Sequence, residues 1–273
     1  MNALPTRKDE AWRWSNLKAL AAVWPHADVR LRSQSVAAGQ HGRLDETVSG
    51  DAWINDDVTV TVGAGGRLDG IIRQSAATMA TMLYRITLEA GAAAHIVILN
   101  HGGELGRIAL DVTLHDGADF QLGAVLIGTG EQTIELVTTV RHVGPAATSR
   151  QIVRAVAGGT ATTSYLGQVA VARAGQKTDA SQSFKALLLN RGATANAKPE
   201  LEIFADDVKC AHGAAIGEID PQALFYLTSR GIPPAGARAL LTRAFLSDAL
   251  EGLDDTATEM LNADITALLE QAA

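Results

Sequence analysis

The chain has 273 residues, a net charge of −7 and one cysteine, which excludes a disulfide framework. Hydrophobic residues make up 47% and charged residues 19%, so a sizeable core is expected; with no Lys/Arg block, nucleic acid is not an expected partner. Apolar runs such as Ala19–Trp24 are far shorter than the ~20 residues of a membrane helix, and Met1–Trp14 carries Arg7, Lys8, Asp9 and Glu10 with no signal-peptide core, so the expectation is a cytoplasmic protein with no membrane partner.

All four tryptophans (Trp12, Trp14, Trp24 and Trp53) fall in the first 53 positions. The spacing of Trp14, Leu17 and Leu20 predicts an amphipathic helix over Glu10–Val23, ended by Pro25. Ser33–Gly42 reads as loop. Residues 1–50 are thus expected to form an N-terminal helical segment.

From about Asp56 to Asp206 short alternating runs dominate: Val58, Val60, Val62; Leu83, Ile86, Leu88; Ile96, Ile98; Ile108, Leu110, Val112, Leu114; Ile134, Leu136. Period two means half-buried strands. Between them a glycine recurs at Gly63, Gly91, Gly117, Gly144 and Gly175, at intervals of 28, 26, 27 and 31. A nearly fixed period in the twenties is a solenoid signature. Residues 51–217 are therefore expected to form a mainly β structure, a right-handed parallel β-helix with glycine corners. An antiparallel sandwich with glycine turns is the competing architecture. Gly102-Gly103 and Gly158-Gly159 read as turns rather than phosphate cradles.

Residues 218–273 read as a helical module on the end of the solenoid. Asp220-Pro221 is a helix start, Gln222–Arg230 a helix with Leu224, Leu227 and Phe225 inward, and Gly231 its C′ residue before Pro233-Pro234. A second helix spans about Ala235–Leu250 with Leu240, Leu241, Ala244, Phe245 and Ala249 as its apolar stripe, and a third spans about Asp255–Gln271.

No Walker A loop, dinucleotide fingerprint, H-E-x-x-H or G-x-S-x-G motif is present. The adjacent carboxylates Asp56-Asp57 and Asp206-Asp207 should point to opposite faces of a strand, a poor arrangement for acid–base work. The histidines at 26, 41, 95, 101, 115 and 142 lack ligand spacing and read as structural, and Arg141-His142 and Lys177–Asp179 as solvated faces. One segment stands apart. If Asp206–Gly213 is extended, Val208, Cys210 and His212 share a face, placing a soft and a borderline metal ligand side by side. The plain alternative is a buried thiol beside a hydrogen-bonded imidazole. One cysteine cannot build a thiolate-rich site, so a metal or cluster bound here needs ligands from a partner.

The run from Lys198 to Gly217 (KPELEIFADDVKCAHGAAIG), continuing from Asp220 through Leu224–Ile232, resembles the signature of the SufB/SufD family of iron–sulfur cluster assembly proteins. The opening Pro5–Trp14 is similar to that family's N-terminal segment. Lys209–Gly213 looks like the SufD form, and no cysteine stands near Phe184 before Leu187–Leu189, where SufB carries one. The region before the solenoid is shorter than in many SufD chains. The resemblance implies a β-helix and a non-catalytic scaffold subunit that pairs with a SufB-like chain and carries a SufC-like ABC-type ATPase. It implies a nascent iron–sulfur cluster or iron held transiently by His212, with Cys210 beside it, at a site shared with SufB. It implies no cofactor permanently bound by this chain alone. Leu224, Phe225, Tyr226, Arg230, Gly231, Arg243 and Phe245 become the expected ATPase-binding surface. In isolation the same end strand can pair with its own copy as a homodimer. Two other readings stand beside this one: a β-helix enzyme acting on a polysaccharide, which needs stacked carboxylates or basic residues along a groove, and a homo-oligomeric structural protein.

Overall fold

Each inward-facing side chain of the central region sits directly above its counterpart one coil earlier. The column Val60, Ile86, Val112, Val140, Val169 and Leu201 shows the pattern, each residue being the register partner of the next. β-Branched residues suit such a pleated, close-stacked surface, and burying each contributes about 1.5–3 kcal/mol. The computed structural model describes residues 4–24 and 29–272. The first coil is β1 (Arg30–Val36) and β2 (His41–Val48). There follow β3 (Ile54–Val62) with β4 (Arg67–Gln74), β5 (Met79–Leu88) with β6 (Ala93–His101), and β7 (Leu105–Leu114) with β8 (Asp119–Gly128). The last three coils pair β9 (Thr133–His142) with β10 (Thr148–Ala157), β11 (Thr162–Val171) with β12 (Asp179–Leu188), and β13 (Thr194–Ile203) with β14 (Lys209–Gly217). Odd-numbered strands form one seven-stranded parallel sheet and even-numbered strands the other. The chain is a β-solenoid, and the sandwich alternative is excluded by this parallel order.

The coil length is 26 residues at first, as Arg30 beside Asp56 and Met79 beside Leu105 show, and grows to 32 between Thr162 and Thr194. One corner is a column of left-handed residues: Gly39, Gly65, Gly91, Gly117, then Ala146 and Lys177. Each donates its N–H to a carbonyl of the following coil, from Gly39 to Ala64 and onward to Lys177 to Asp207. Gly91 and Gly117 are the predicted corners. Gly63, Gly144 and Gly175 lie two residues earlier without positive φ; at Gly63 a Cβ would come within 2.7 Å of the Ala38 nitrogen. Gly102, Gly103 and Gly159 sit in the turns of the opposite edge, all with positive φ.

Several expectations are corrected. The stretch expected to be helix and loop up to residue 50 contains β1 and β2, so the solenoid begins at Arg30. The helix expected over Glu10–Val23 divides into a 3-10 turn at Glu10–Trp12 and α1 (Leu17–Val23), because the Asn16 side chain accepts from Ala19 N (3.0 Å) and starts a new helix. Pro25 and His26 lie outside the described residues. Leu83 faces outward, since Met82, Tyr84, Ile86 and Leu88 take the inward positions. His142 is fully buried rather than solvated, with its Nε2 2.9 Å from Ser149 Oγ.

The C-terminal residues form α2 (Pro221–Ser229), α3 (Pro234–Leu246), a 3-10 turn (Ser247–Leu250) and α4 (Asp255–Ala272). Asp220 caps α2, and Gly231 follows it with φ +89°. The module does not sit on the end of the solenoid. Leu246, Leu250, Leu261 and Ile265 pack on Val97, Val125 and Ile127 of the even-numbered sheet's outer face. The buried face of α3 is Ala237, Thr242 and Leu246, so Leu240 and Ala244 fall outside the stripe expected for them. On the other side, α1 and Trp12, Trp24 and Trp53 cover Met79 and Leu105 of the odd-numbered sheet.

Candidate functional site

At the C-terminal end of the solenoid no further strand among the described residues pairs with the last coil. β13 and β14 are the final strands of their sheets. Register fixes which side chains face the inside of the solenoid. Ala195, Ala197, Pro199, Leu201 and Ile203 continue the inward positions of β11, and Cys210, His212, Ala214 and Ile216 those of β12. Ile203, Phe204 and Ile216 are 39%, 62% and 47% exposed, an apolar rim that the rest of the solenoid would bury. Cys210 and His212 thus share one face, as their spacing predicts. His212 is exposed, and Cys210 half-buried against the small cluster of Val169, Val171 and Ala205.

The backbone of this end is equally specific. In a parallel ladder alternate residues bond to opposite neighbours. Lys209 N–H donates to Thr178 O (2.8 Å), so odd-numbered residues of β14 face β12. Cys210, His212, Ala214 and Ile216 therefore present both their peptide N–H and C=O to the free edge. On β13, Thr194 and Phe204 donate to Ala161 and Val171, which leaves the odd-numbered residues facing outward. One of these is Pro199, which has no N–H. The Lys198 ammonium beside it is paired with Glu10 and Glu200. The two edges thus differ: β13 is interrupted, whereas β14 is an unbroken template for another strand.

Electrostatically the site is reserved. Burial, then the charge of Asp179, holds the Cys210 thiol above the ordinary cysteine range, against a backbone hydrogen bond at Ala180. The thiol is accordingly protonated near neutral pH and becomes a good ligand only when a metal displaces its proton. The Lys177 ammonium, 2.9 Å away, holds Asp207 below the usual carboxylate range. Among the described residues no three His, Cys, Asp or Glu side chains converge to hold a metal ion. Cys210 and His212 are a soft and a borderline donor at an open seam, a pair that fits iron or a cluster completed from outside.

The structure separates the residues expected to bind the ATPase. Phe225 (73% exposed) and Tyr226 stand out from α2, with the Arg230 guanidinium 5.2 Å from the Tyr226 ring, and Arg243 and Gly231 are also exposed. Phe225 is thus not inward. Leu224 is half-buried, and Phe245 turns to the solenoid and packs with the outer-face cluster. Asp56 and Asp57 do point to opposite faces, Asp56 to Arg30 (2.5 Å) and Asp57 to Arg85 (3.2 Å). Asp57 and Asp111 line the outer face, but Arg85 and Arg141 pair with them, so these two carboxylates do not form a free acidic groove for a polysaccharide. The exposed Ile203, Phe204 and Ile216 and the edge-blocking Pro199 were missed at the sequence level; a proline inside an otherwise strand-like run was the available signal. No helix among the described residues is long and apolar enough to cross a membrane.

Comparison with known proteins follows the same line. The family model described as "SUF system FeS cluster assembly, SufBD core domain" matches residues 20–245. The chain is similar to the chloroplastic protein ABCI7 of Arabidopsis thaliana, 34% identical over 78% of this chain and 46% of that protein. It is also similar to the iron–sulfur cluster assembly protein SufD of Escherichia coli, 31% identical over 61% of this chain and 39% of the relative. SufD of Bacillus subtilis is 33% identical over 50% and 32%. The matched stretches span less than half the length of these relatives.

Proposed function

The chain belongs to the SufBD family of iron–sulfur cluster assembly proteins, and from that premise we propose that it is a SufD-like, non-catalytic scaffold whose open C-terminal end pairs with a SufB-like subunit. The observation that carries this reading is the geometry of β14. The residues that present free peptide groups to the edge, Cys210 and His212, are the same residues that point a thiol and an imidazole to the inner side of the last coil. A strand added to β14 gains backbone hydrogen bonds and brings its own side chains to these two donors. Iron or a nascent cluster is then the cargo of a shared site. His212 supplies nitrogen, Cys210 supplies sulfur once its proton leaves to solvent, and the partner supplies the remaining ligands. The apolar rim of Ile203, Phe204 and Ile216 becomes buried in the same step.

Phe225, Tyr226, Arg230 and Arg243 form the surface for a SufC-like ATPase on the helical module. The SufD-type Lys209–Gly213 string favours SufD over SufB. The test is co-expression of the chain with SufB-like and SufC-like partners. His212→Ala should lower the cluster absorbance of the purified complex by about tenfold or more, with the complex still assembled. A normal cluster yield in that variant overturns the role of His212. Failure of the wild-type chain to retain either partner at native expression overturns the assembly itself.

A further inference from the structure

The inward positions of the even-numbered sheet change character towards the open end. One register column runs Leu44, Gly70, Ile96, Leu122, Gln151, Gln182 and His212. Its first four members are aliphatic or glycine, and its last three are two amides and an imidazole. Gln151 and Gln182 are 1% and 3% exposed. A buried amide costs stability unless its hydrogen bonds are made, so two of them on successive coils call for a reason beyond packing.

The two amides differ in what they hold. Gln151 joins a string with Tyr165 and Thr138: Tyr165 Oη donates to Gln151 Oε1 (3.2 Å) and lies 3.2 Å from Thr138 Oγ1. Gln182 instead spans the core. In the orientation that satisfies both its ends, its N–H donates to Gly167 O (3.3 Å) and its oxygen accepts from Val169 N–H (3.2 Å). A Cβ at Gly167 would come within 2.7 Å of this amide, so glycine makes room for it. These two bonds fix the amide across the coil below His212. Its oxygen keeps a second lone pair, and the next side chain in the same column is the imidazole of His212.

A histidine that binds a metal through one ring nitrogen generally donates the N–H of the other to a neighbouring oxygen, which fixes its tautomer and ring direction. The other inward side chains of β14, Cys210, Ala214 and Ile216, offer no oxygen. We propose that Gln182 is the positioning residue of His212: its amide oxygen accepts the imidazole N–H that faces the coil below and leaves the other ring nitrogen unprotonated for the cargo. The inference deepens the reading of His212 as a ligand of the shared site and rests on it. Gln182 itself touches no cargo.

The full chain, isotope-labelled at its histidine ring nitrogens and read by NMR, tests this without partner or metal. The His212 signals are identified by their loss in His212→Gln. The ring is exposed in the free chain and samples the bond. The ratio of its two neutral tautomers should therefore differ from that of a histidine in an unstructured peptide by about threefold or more, the size expected for one net hydrogen bond. Gln182→Met, which keeps the side-chain length and loses the amide, should return the ratio to the peptide value. Gln182→Glu, which keeps an oxygen acceptor, should hold it away from that value. Gln151→Met removes the amide one coil further down and should leave the ratio unchanged. In the complex with a SufB-like subunit, the Gln182→Met chain should retain about tenfold less iron than the wild type. A wild-type ratio equal to the peptide value, a ratio that Gln182→Met does not move, or an equal change in Gln151→Met overturns the role of Gln182. A normal cluster yield in His212→Ala instead overturns the assignment of His212 on which that role rests.

Discussion

The two ends of the solenoid solve the same problem in opposite ways. At the N-terminal end several inward positions of the first coils are charged or polar, among apolar ones such as Val36, Leu44 and Val48. Arg32 of β1 pairs with Glu46 and with Asp56 (2.9 Å), and Arg30 reaches Asp56 (2.5 Å). Tyr84 Oη donates to Glu46 at 2.7 Å. The Gln34 side chain donates to the carbonyl of Arg43, one of the edge groups of β2 (2.8 Å). The arginines lie between this cluster and solvent, so the core is closed by groups that prefer water on one side. At the C-terminal end the equivalent positions are Ala, Leu, Ile, Cys and His, and the β14 edge is unblocked. A solenoid needs a polar cap wherever a coil ends in solvent. Among the described residues the second end lacks one, and this difference supports the proposal that another protein covers it.

The largest effect should come from breaking the capped end. Arg32→Ala leaves Glu46 and Asp56, 9% and 1% exposed in their side chains, without their shared partner, and should cost about 3 kcal/mol in urea unfolding. A similar loss is expected from acid, through the β9–β10 coil, two before the open end. Burial lowers the His142 pKa to about 4, from 6.5. The folded value lies below the unfolded one, so the unfolded chain takes up the proton first. Stability is intact above about pH 6.5, falls by roughly 3 kcal/mol as the pH drops towards 4, and levels off below that. Burial lowers His95 and His101 in the same direction. His142→Gln should flatten this part of the pH–stability curve.

At the uncapped end the same kind of substitution should do little to the isolated chain. Ile216→Lys should change its unfolding free energy by no more than about 0.5 kcal/mol, while pull-down of the SufB-like partner is lost. Smaller still in stability, Pro199→Ala restores an edge-facing N–H on β13 and should raise self-association, seen as a concentration-dependent dimer in sedimentation. If Ile216→Lys destabilises the lone chain as much as Arg32→Ala does, the contrast between the ends is wrong.

Much of this was legible in the sequence. The period of Gly91 and Gly117, the alternation of Val58–Val62 and Ile108–Leu114, and the capped helix starting at Pro221 all express local rules that tertiary packing did not override. Period two alone placed Cys210 and His212 on one face. The first coil was not legible because Arg32, Gln34 and Glu46 stand at inward positions between Val36, Leu44 and Val48 and hide the apolar alternation that marks a strand. The seat of the helical module was hidden for the converse reason. Val97, Leu99, Val125 and Ile127 make their strands apolar on both faces, and a two-sided strand shows no outward stripe to mark what covers it. Which peptide groups of β14 are free depends on the register with β12, a long-range pairing that no local pattern encodes.

The central claim is that the β14 edge is where a SufB-like subunit is received. Amide hydrogen exchange of the full chain, alone and with that subunit, tests it residue by residue. The amides of Cys210, His212, Ala214 and Ile216 should exchange rapidly in the free chain and become protected in the complex, with β1 and β2 unchanged. Equal exchange of those four amides in both states, or protection that appears at β1 and β2 instead, would contradict the account.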